Sequence, residues 1–174
     1  DSTNLLINTK DLNAFLRVFF QKQQIAKQKE QQEKSAKIAE AKFGDNKKAG
    51  EDFLAENKSK KGVIVTESGL QYRILKEGKG AKPVTTSKVK VHYHGTNLDG
   101  VVFDSSVDRG TPAEFGVTQV IKGWTEGLQL MKKGAKYKFF IPQELAYGQQ
   151  QRGKEIKPFS MLIFEVELLE VLDK

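Results

Sequence analysis

VIKGWTEGLQLM, residues 120–131, is the stretch on which the fold turns. It carries the only tryptophan of the chain, Trp124, flanked by Gly123 and Gly127, with Leu128 and Met131 following at helical spacing. That spacing predicts one short amphipathic helix. Glycine weakens a helix and offers no side chain to pack, so two of them near the largest side chain clear room for a close approach. The approaching body is either another part of the core or a ligand, and the indole alone does not decide between them.

The segments around this helix are short and alternate. KVKVHYH (88–94) puts Val89, Val91 and Tyr93 on one face of a strand and Lys88, Lys90, His92 and His94 on the other. LDG (98–100) reads as a hairpin turn leading into VVFDSS (101–106). YKFFIP (137–142) is a further strand, and MLIFEVELLEV (161–171) sets Leu162, Phe164, Val166 and Leu168 on a shared face. Gly, Pro, Asp and Asn punctuate these runs. Residues 63–174 therefore form an α+β domain, a curled antiparallel sheet wrapped on one short helix.

Residues 1–62 follow another grammar. From Asp11 to about Asn57 there is no proline, and Lys, Gln, Glu and Ala dominate, which predicts one long helix. Leu12, Phe15, Leu16 and Phe19 recur at i, i+3, i+4 and i+7, and Phe20 widens the stripe. A lone helix cannot bury such a face, so self-association is expected, the alternative being cover by further N-terminal residues of the same chain. KQKEQQEKS (27–35) has no apolar residue and reads as a solvated spacer. Ala36, Ala39, Phe43, Phe53 and Leu54 restore apolar character, while Gly44 and Gly50 predict a bend or local break. At about 1.5 Å per residue such a helix would reach roughly 70 Å, the length of a stalk.

Composition narrows the function classes. A length of 174 residues suits one well-cored domain with an appendage. The formal charge of +7 is spread thinly, 13 basic residues against 9 acidic in residues 1–62 and 16 against 13 thereafter. Without a basic stripe or aromatic readers, nucleic acid is not an expected partner, and the lysine-rich stalk is the one place it could bind. The absence of cysteine excludes disulfides, thiol catalysis and cysteine metal sites. No apolar run approaches the roughly 20 residues that cross a bilayer. The opening Asp1-Ser2, without Met, suits a trimmed mature protein or a cloned fragment, so a targeting segment could have preceded it.

Familiar catalytic arrangements are missing. His92 and His94 could reach one metal ion, yet no Asp, Glu or Cys adjoins them in sequence, and they read as surface residues. Neither a nucleophile elbow nor a glycine-rich phosphate loop occurs. What remains is an apolar set with polar tips: Tyr93, Phe103, Asp104, Phe115, Val120, Ile121, Trp124, Tyr147, Ile156 and Phe164. These residues line a concave pocket if the sheet curls over the helix, or else fill a plain core, and spacing leaves both open.

Four motifs, VHYHGTNLDGVVFDSS, QVIKGWTEGLQLMKKG, FFIPQELAYG and LIFEVELLEV, resemble in order and spacing the FK506-binding-protein family of peptidyl-prolyl isomerases, over about residues 69–172. The preceding KKAGEDFLAENKSKKGVIVTESGLQY is similar to the connecting helix of the bacterial macrophage-infectivity-potentiator branch. Members of that branch are dimers joined through an N-terminal helical domain, mostly in the periplasm or at the outer surface. The resemblance implies that Trp124 floors a prolyl pocket walled by Tyr93, Phe103, Phe115, Val120, Ile121 and Phe164. It further implies that the Ile121 backbone N–H and the Tyr147 hydroxyl donate to ligand carbonyls, and that Asp104 bonds Tyr93 beside the twisting amide. Expected partners are proline-containing polypeptide clients, FK506- or rapamycin-like macrolides, and a second copy of the chain where the N-terminal helices are complete. No cofactor or metal is expected. The alternatives are a non-enzymatic chaperone or adaptor using the same groove, and a cytoplasmic location. The chain departs from the family pattern at Lys122 and Gln143, where proline is common, at the charged loop QQQRGKEIKPF (149–159), and at Phe159.

Overall fold

The computed structural model describes residues 9–172. Two compact units divide the chain, the first closing at Ala41 and the second opening at Lys42. Helix α1 (Thr9–Asn57) contributes to both as one uninterrupted element.

In the first unit α1 is exposed along the apolar stripe read from the sequence. Phe15 is 67% and Phe20 61% accessible, and the Phe15 and Phe19 rings stack on each other at 6.3 Å. Residues 27–35 are exposed throughout, with Lys34 paired to Glu30 at 2.7 Å one helical turn away. Such i,i+4 pairs support a solvated helix by a few tenths of a kcal/mol, about ~0.3. The local break expected as one outcome at Gly44 and Gly50 does not occur, and the helix runs through both. Gly50 is instead buried against Met161, whose side chain would lie 3.3 Å from a Cβ at that position. Close packing rather than flexibility accounts for this glycine.

The second unit holds a seven-stranded antiparallel sheet. Its strands are β1 (Val63–Val65), β2 (Gln71–Lys76), β3 (Lys88–Thr96), β4 (Val102–Ser105), β5 (Ala113–Gly116), β6 (Lys136–Ile141) and β7 (Leu162–Leu172). They run in the order β1-β2-β6-β7-β3-β4, and β5 also pairs with β3. The ladder between β3 and β7 is long, from Lys88 opposite Leu172 to Thr96 opposite Ile163. Alternation falls as the pattern predicts: Val89, Val91 and Tyr93 are buried, as are Leu162, Phe164, Val166 and Leu168. Between β3 and β4 the Asn97 carbonyl accepts the Gly100 N–H at 3.1 Å, and its side-chain Oδ1 accepts the Val101 N–H at 2.9 Å. Gly100 supplies the positive φ, 81°, that this turn requires.

Helix α2 (Lys122–Leu130) lies on the buried face and contributes Gly123, Trp124, Gly127 and Leu128 to the core. Its glycines are spaces for β6. A Cβ on Gly123 would stand 2.5 Å from Ile141 Cγ2, and one on Gly127 would stand 2.6 Å from the Phe139 ring.

The last turns of α1 pack within this unit. The Phe53 ring lies 5.8 Å from Phe140, and Asn46 Nδ2 donates to the Pro158 carbonyl at 3.2 Å. Buried Asn57 donates to Gln71 Oε1 at 3.0 Å, while Gln71 Nε2 donates to the Leu54 carbonyl at 2.8 Å. The Leu54 carbonyl also accepts the Lys58 N–H at 3.2 Å, so the two donors share the oxygen at the end of the helix. The change of sequence grammar near residue 62 thus falls inside the second unit.

Substituting Gly127→Ala should destabilise the protein by about 1–3 kcal/mol through overpacking. Alanine's helix preference, worth roughly 1 kcal/mol, opposes this and is the smaller effect because Phe139 is itself enclosed. Urea unfolding of the two proteins checks the sign; an increase in stability would mean that the Phe139 ring yields without cost.

Candidate functional site

The N-terminal end of α2, the inner faces of β3 and β7, and the segment after β6 enclose a cavity of about 580 Å³. Trp124, only 6% accessible, forms its base. Three rings stand nearly perpendicular to the indole: Phe164 at 5.2 Å, Tyr93 at 5.3 Å and Phe115 at 5.7 Å between centroids. Edge-to-face pairs of this kind favour the arrangement by about 1 kcal/mol each beyond area burial, so the base is rigid before anything enters. Val120 and Ile121 carry the wall to the start of α2, and Ala146, Tyr147, Gln150 and Arg152 form the opposite rim.

Three donors in this wall are unspent. The Trp124 indole N–H is buried and has no hydrogen-bond partner among the described residues. Among the described residues no acceptor takes the Ile121 backbone N–H, since Ile121 precedes α2 and only its carbonyl is used, by Trp124 at 2.9 Å and Thr125 at 3.1 Å. Among the described residues the Tyr147 hydroxyl has no hydrogen-bond partner either, although the Arg152 guanidinium lies over its ring at 5.1 Å.

One edge of the cavity is polar and tightly ordered. The Tyr93 hydroxyl donates to Asp104 Oδ2 at 2.5 Å, and Arg109 donates both to Asp104 Oδ1 and, at 2.9 Å, to the Tyr93 hydroxyl oxygen. Burial, the largest single influence on Asp104, works to raise its pKa. The hydrogen bonds from Tyr93 and Arg109, with the guanidinium charge, outweigh it and leave the carboxyl below its ordinary value. Burial first, and the bond to Asp104 second, hold the Tyr93 phenol above its ordinary value, while its bonds to Tyr93 and Asp104 raise Arg109 further. At neutral pH the group is therefore a phenol, a carboxylate and a guanidinium in fixed protonation states.

Two serines at the end of β4 and just beyond it secure this edge. Ser106 Oγ accepts the Tyr93 N–H at 2.8 Å and meets His92 Nδ1 at 3.0 Å; Ser105 Oγ meets His94 Nδ1 at 2.9 Å and accepts the Asp108 N–H at 3.1 Å. The histidines are consequently half-buried, not the free surface residues expected, because the turn after β4 folds back over their side of the strand. Among the described residues no three His, Cys, Asp or Glu side chains gather to hold a metal ion.

Eight of the ten residues singled out in the sequence meet on the cavity wall. The other two stand behind it. Phe103 packs edge-to-face on Phe164 at 5.3 Å, and Ile156 is buried in the core while its backbone bridges that of Arg152. Sequence reasoning missed Gln119, Ala146, Gln150 and Arg152 on the wall, and Arg109 beside Asp104. Ala146 adjoins Tyr147 and Arg152 belongs to the charged loop, so proximity could have flagged them; Arg109 sits in a turn with no periodicity to announce it.

Residues 79–169 match the family model described as FKBP-type peptidyl-prolyl cis-trans isomerase, and residues 2–74 match the domain amino terminal to it. The chain belongs to the FKBP-type peptidyl-prolyl cis-trans isomerase family. Within that family it is 58% identical over 127 residues to the isomerase FkpA of Aeromonas hydrophila, covering 73% of this chain and 47% of that protein. It is 47% identical over 152 residues to the outer membrane protein MIP of Legionella longbeachae, covering 87% of this chain and 62% of that one. The chain thus spans about half to three fifths of these curated relatives. The crystal structure of FkpA from Escherichia coli superposes with a TM-score of 0.74 at 37% identity, over 95% of this chain and 82% of the other. The FKBP fold expected from the sequence, an antiparallel sheet on a short helix behind a long N-terminal helix, is the fold observed.

The lowered pKa of Asp104 has a direct consequence for stability. A carboxyl whose folded pKa lies below the unfolded value of about 4 stabilises the fold fully above that value and loses its contribution as pH falls through the folded one. The difference in unfolding free energy between the native chain and Asp104→Asn should accordingly be constant from about pH 5.5 to 8 and close below about pH 4. Denaturant titrations across that range check it; a difference growing toward acid pH would reverse the assignment.

Proposed function

We propose that this chain accelerates cis–trans rotation about Xaa-Pro bonds of unfolded or partly folded polypeptides. The observation that carries the reading is a rigid aromatic base with unspent donors around it, Trp124 below and the Ile121 N–H and Tyr147 hydroxyl at the rim.

A prolyl amide resists rotation by about 18–20 kcal/mol because the planar form is resonance-stabilised, and exchange in water takes tens of seconds or more. The twisted amide has lost that resonance, and its carbonyl carries less charge separation. Water hydrogen-bonds best to the planar carbonyl, so exchanging water for aromatic walls disfavours the planar state relative to the twisted one. In this reading the proline ring rests on Trp124, between Tyr93, Phe115 and Phe164. The Ile121 N–H and the Tyr147 hydroxyl hold two flanking carbonyls, so that the chain on either side stays fixed while the imide turns. Asp104, kept ionised and oriented by Tyr93 and Arg109, stands beside the rotating bond. No covalent step is needed.

The same pocket is expected to take FK506- or rapamycin-like macrolides, which present a proline-like ring and adjacent carbonyls. Residues 63–174 would form the isomerase domain and residues 1–62 a helical segment whose exposed Phe15, Phe19 and Phe20 favour pairing with a second copy where the N-terminal helices are complete. Similarity to an outer membrane protein favours the periplasm or cell envelope. Among the described residues no helix is long and apolar enough to cross a membrane.

Tyr147→Phe and Asp104→Ala should each lower kcat/KM for a prolyl peptide by about five- to ten-fold, the scale of one hydrogen bond or one oriented charge. Circular dichroism should find both variants folded. A protease-coupled exchange assay checks the rates. Background turnover by the native chain, with aggregation of a client still suppressed, would favour the non-enzymatic chaperone instead.

A further inference from the structure

Two side chains on the cavity wall are charged at neutral pH, Asp104 and Arg152, and their circumstances differ. Asp104 is neutralised in place by Arg109 and Tyr93. Arg152 has no carboxylate partner among the described residues: its guanidinium lies over the Tyr147 ring at 5.1 Å, and its Nη2 donates to Gln150 Oε1 at 3.2 Å. Stacking on an aromatic face holds the planar fork in place while consuming none of its five N–H donors, so most remain available. The point from which the side chain rises is fixed as well. Arg152 and Ile156 exchange backbone hydrogen bonds at 2.9 and 3.3 Å, and Ile156 is anchored in the core.

A polypeptide whose proline enters this cavity passes the rim formed by Tyr147, Gln150 and Arg152. A carboxylate on a residue next to that proline meets a preorganised guanidinium with spare donors; an ammonium there meets repulsion. We propose that Arg152 is a specificity-determining residue that favours an acidic over a basic side chain next to the prolyl bond. The inference rests on the isomerase reading above and adds a charge preference to the same site. Because Arg152 is exposed, the preference is moderate and sensitive to salt.

The test uses the full chain and two short peptide series, with Glu, Leu or Lys immediately before or immediately after a single proline. Exchange measured by NMR needs no coupling protease and gives kcat/KM for each. In at least one series the native chain should favour Glu over Lys by about five-fold at low salt, and Arg152→Gln should bring that ratio close to one. Raising the salt to about 0.5 M should compress it in the native chain. Lys154→Gln removes the same charge from the same loop but lies away from the cavity, so its ratio should stay at the native value. A Glu-to-Lys ratio that is equal in the native chain and Arg152→Gln, or that falls equally in Lys154→Gln, overturns the role of Arg152 while exchange of the Leu peptides leaves the isomerase reading standing. Failure to accelerate exchange of any peptide overturns both.

Discussion

The structure depends on how closely α2 approaches β6. Gly123 and Gly127 place the helix backbone directly against Ile141 and Phe139, where even a methyl group would collide. With the helix held there, Trp124 meets three rings from β3, β5 and β7 at nearly right angles, and the indole and those rings line the cavity together. A helix standing off by the width of a side chain would let those rings collapse onto the indole. The cavity is thus a product of tight packing beneath it, which is why an apolar hollow persists in an otherwise close-packed domain.

A second constraint is electrostatic. Opening an apolar cavity beside an aspartate would ordinarily draw a proton onto the carboxyl, since burial favours its neutral form. The Tyr93 hydroxyl and the Arg109 guanidinium prevent this, and the serines that bind His92, His94 and the Tyr93 backbone keep the turn carrying Arg109 in place. The carboxylate charge beside the site is consequently fixed.

Much of this was legible in the sequence. Alternation in residues 88–94 and 162–168 assigned the buried face residue by residue, because a strand with one solvated side must keep its register. The four ordered motifs brought together Tyr93, Asp104, Trp124, Tyr147 and Phe164, which are far apart in the chain. Less was visible where tertiary contact overrides local pattern. Gly44 and Gly50 suggested a bend or local break in α1, yet the helix is unbroken, and close packing on Met161 accounts for Gly50. The histidines read as solvent-facing because the partner serines lie in a turn whose path alternation does not describe. Arg109 and Arg152 owe their places to turns and an irregular loop, where no periodicity exists to be read.

The packing of the final α1 turns against the sheet changes what counts as the smallest separable catalytic body. Cutting the chain where its composition changes, near residue 62, would strip Phe53 from Phe140, leave the Pro158 carbonyl without Asn46 and deprive Gln71 of Asn57 and the Leu54 carbonyl. Those losses fall on the strand below the cavity and on the loop that returns from its rim. A helix that looks like a mere connector in the sequence is, over its last four turns, a structural wall of the domain it leads into.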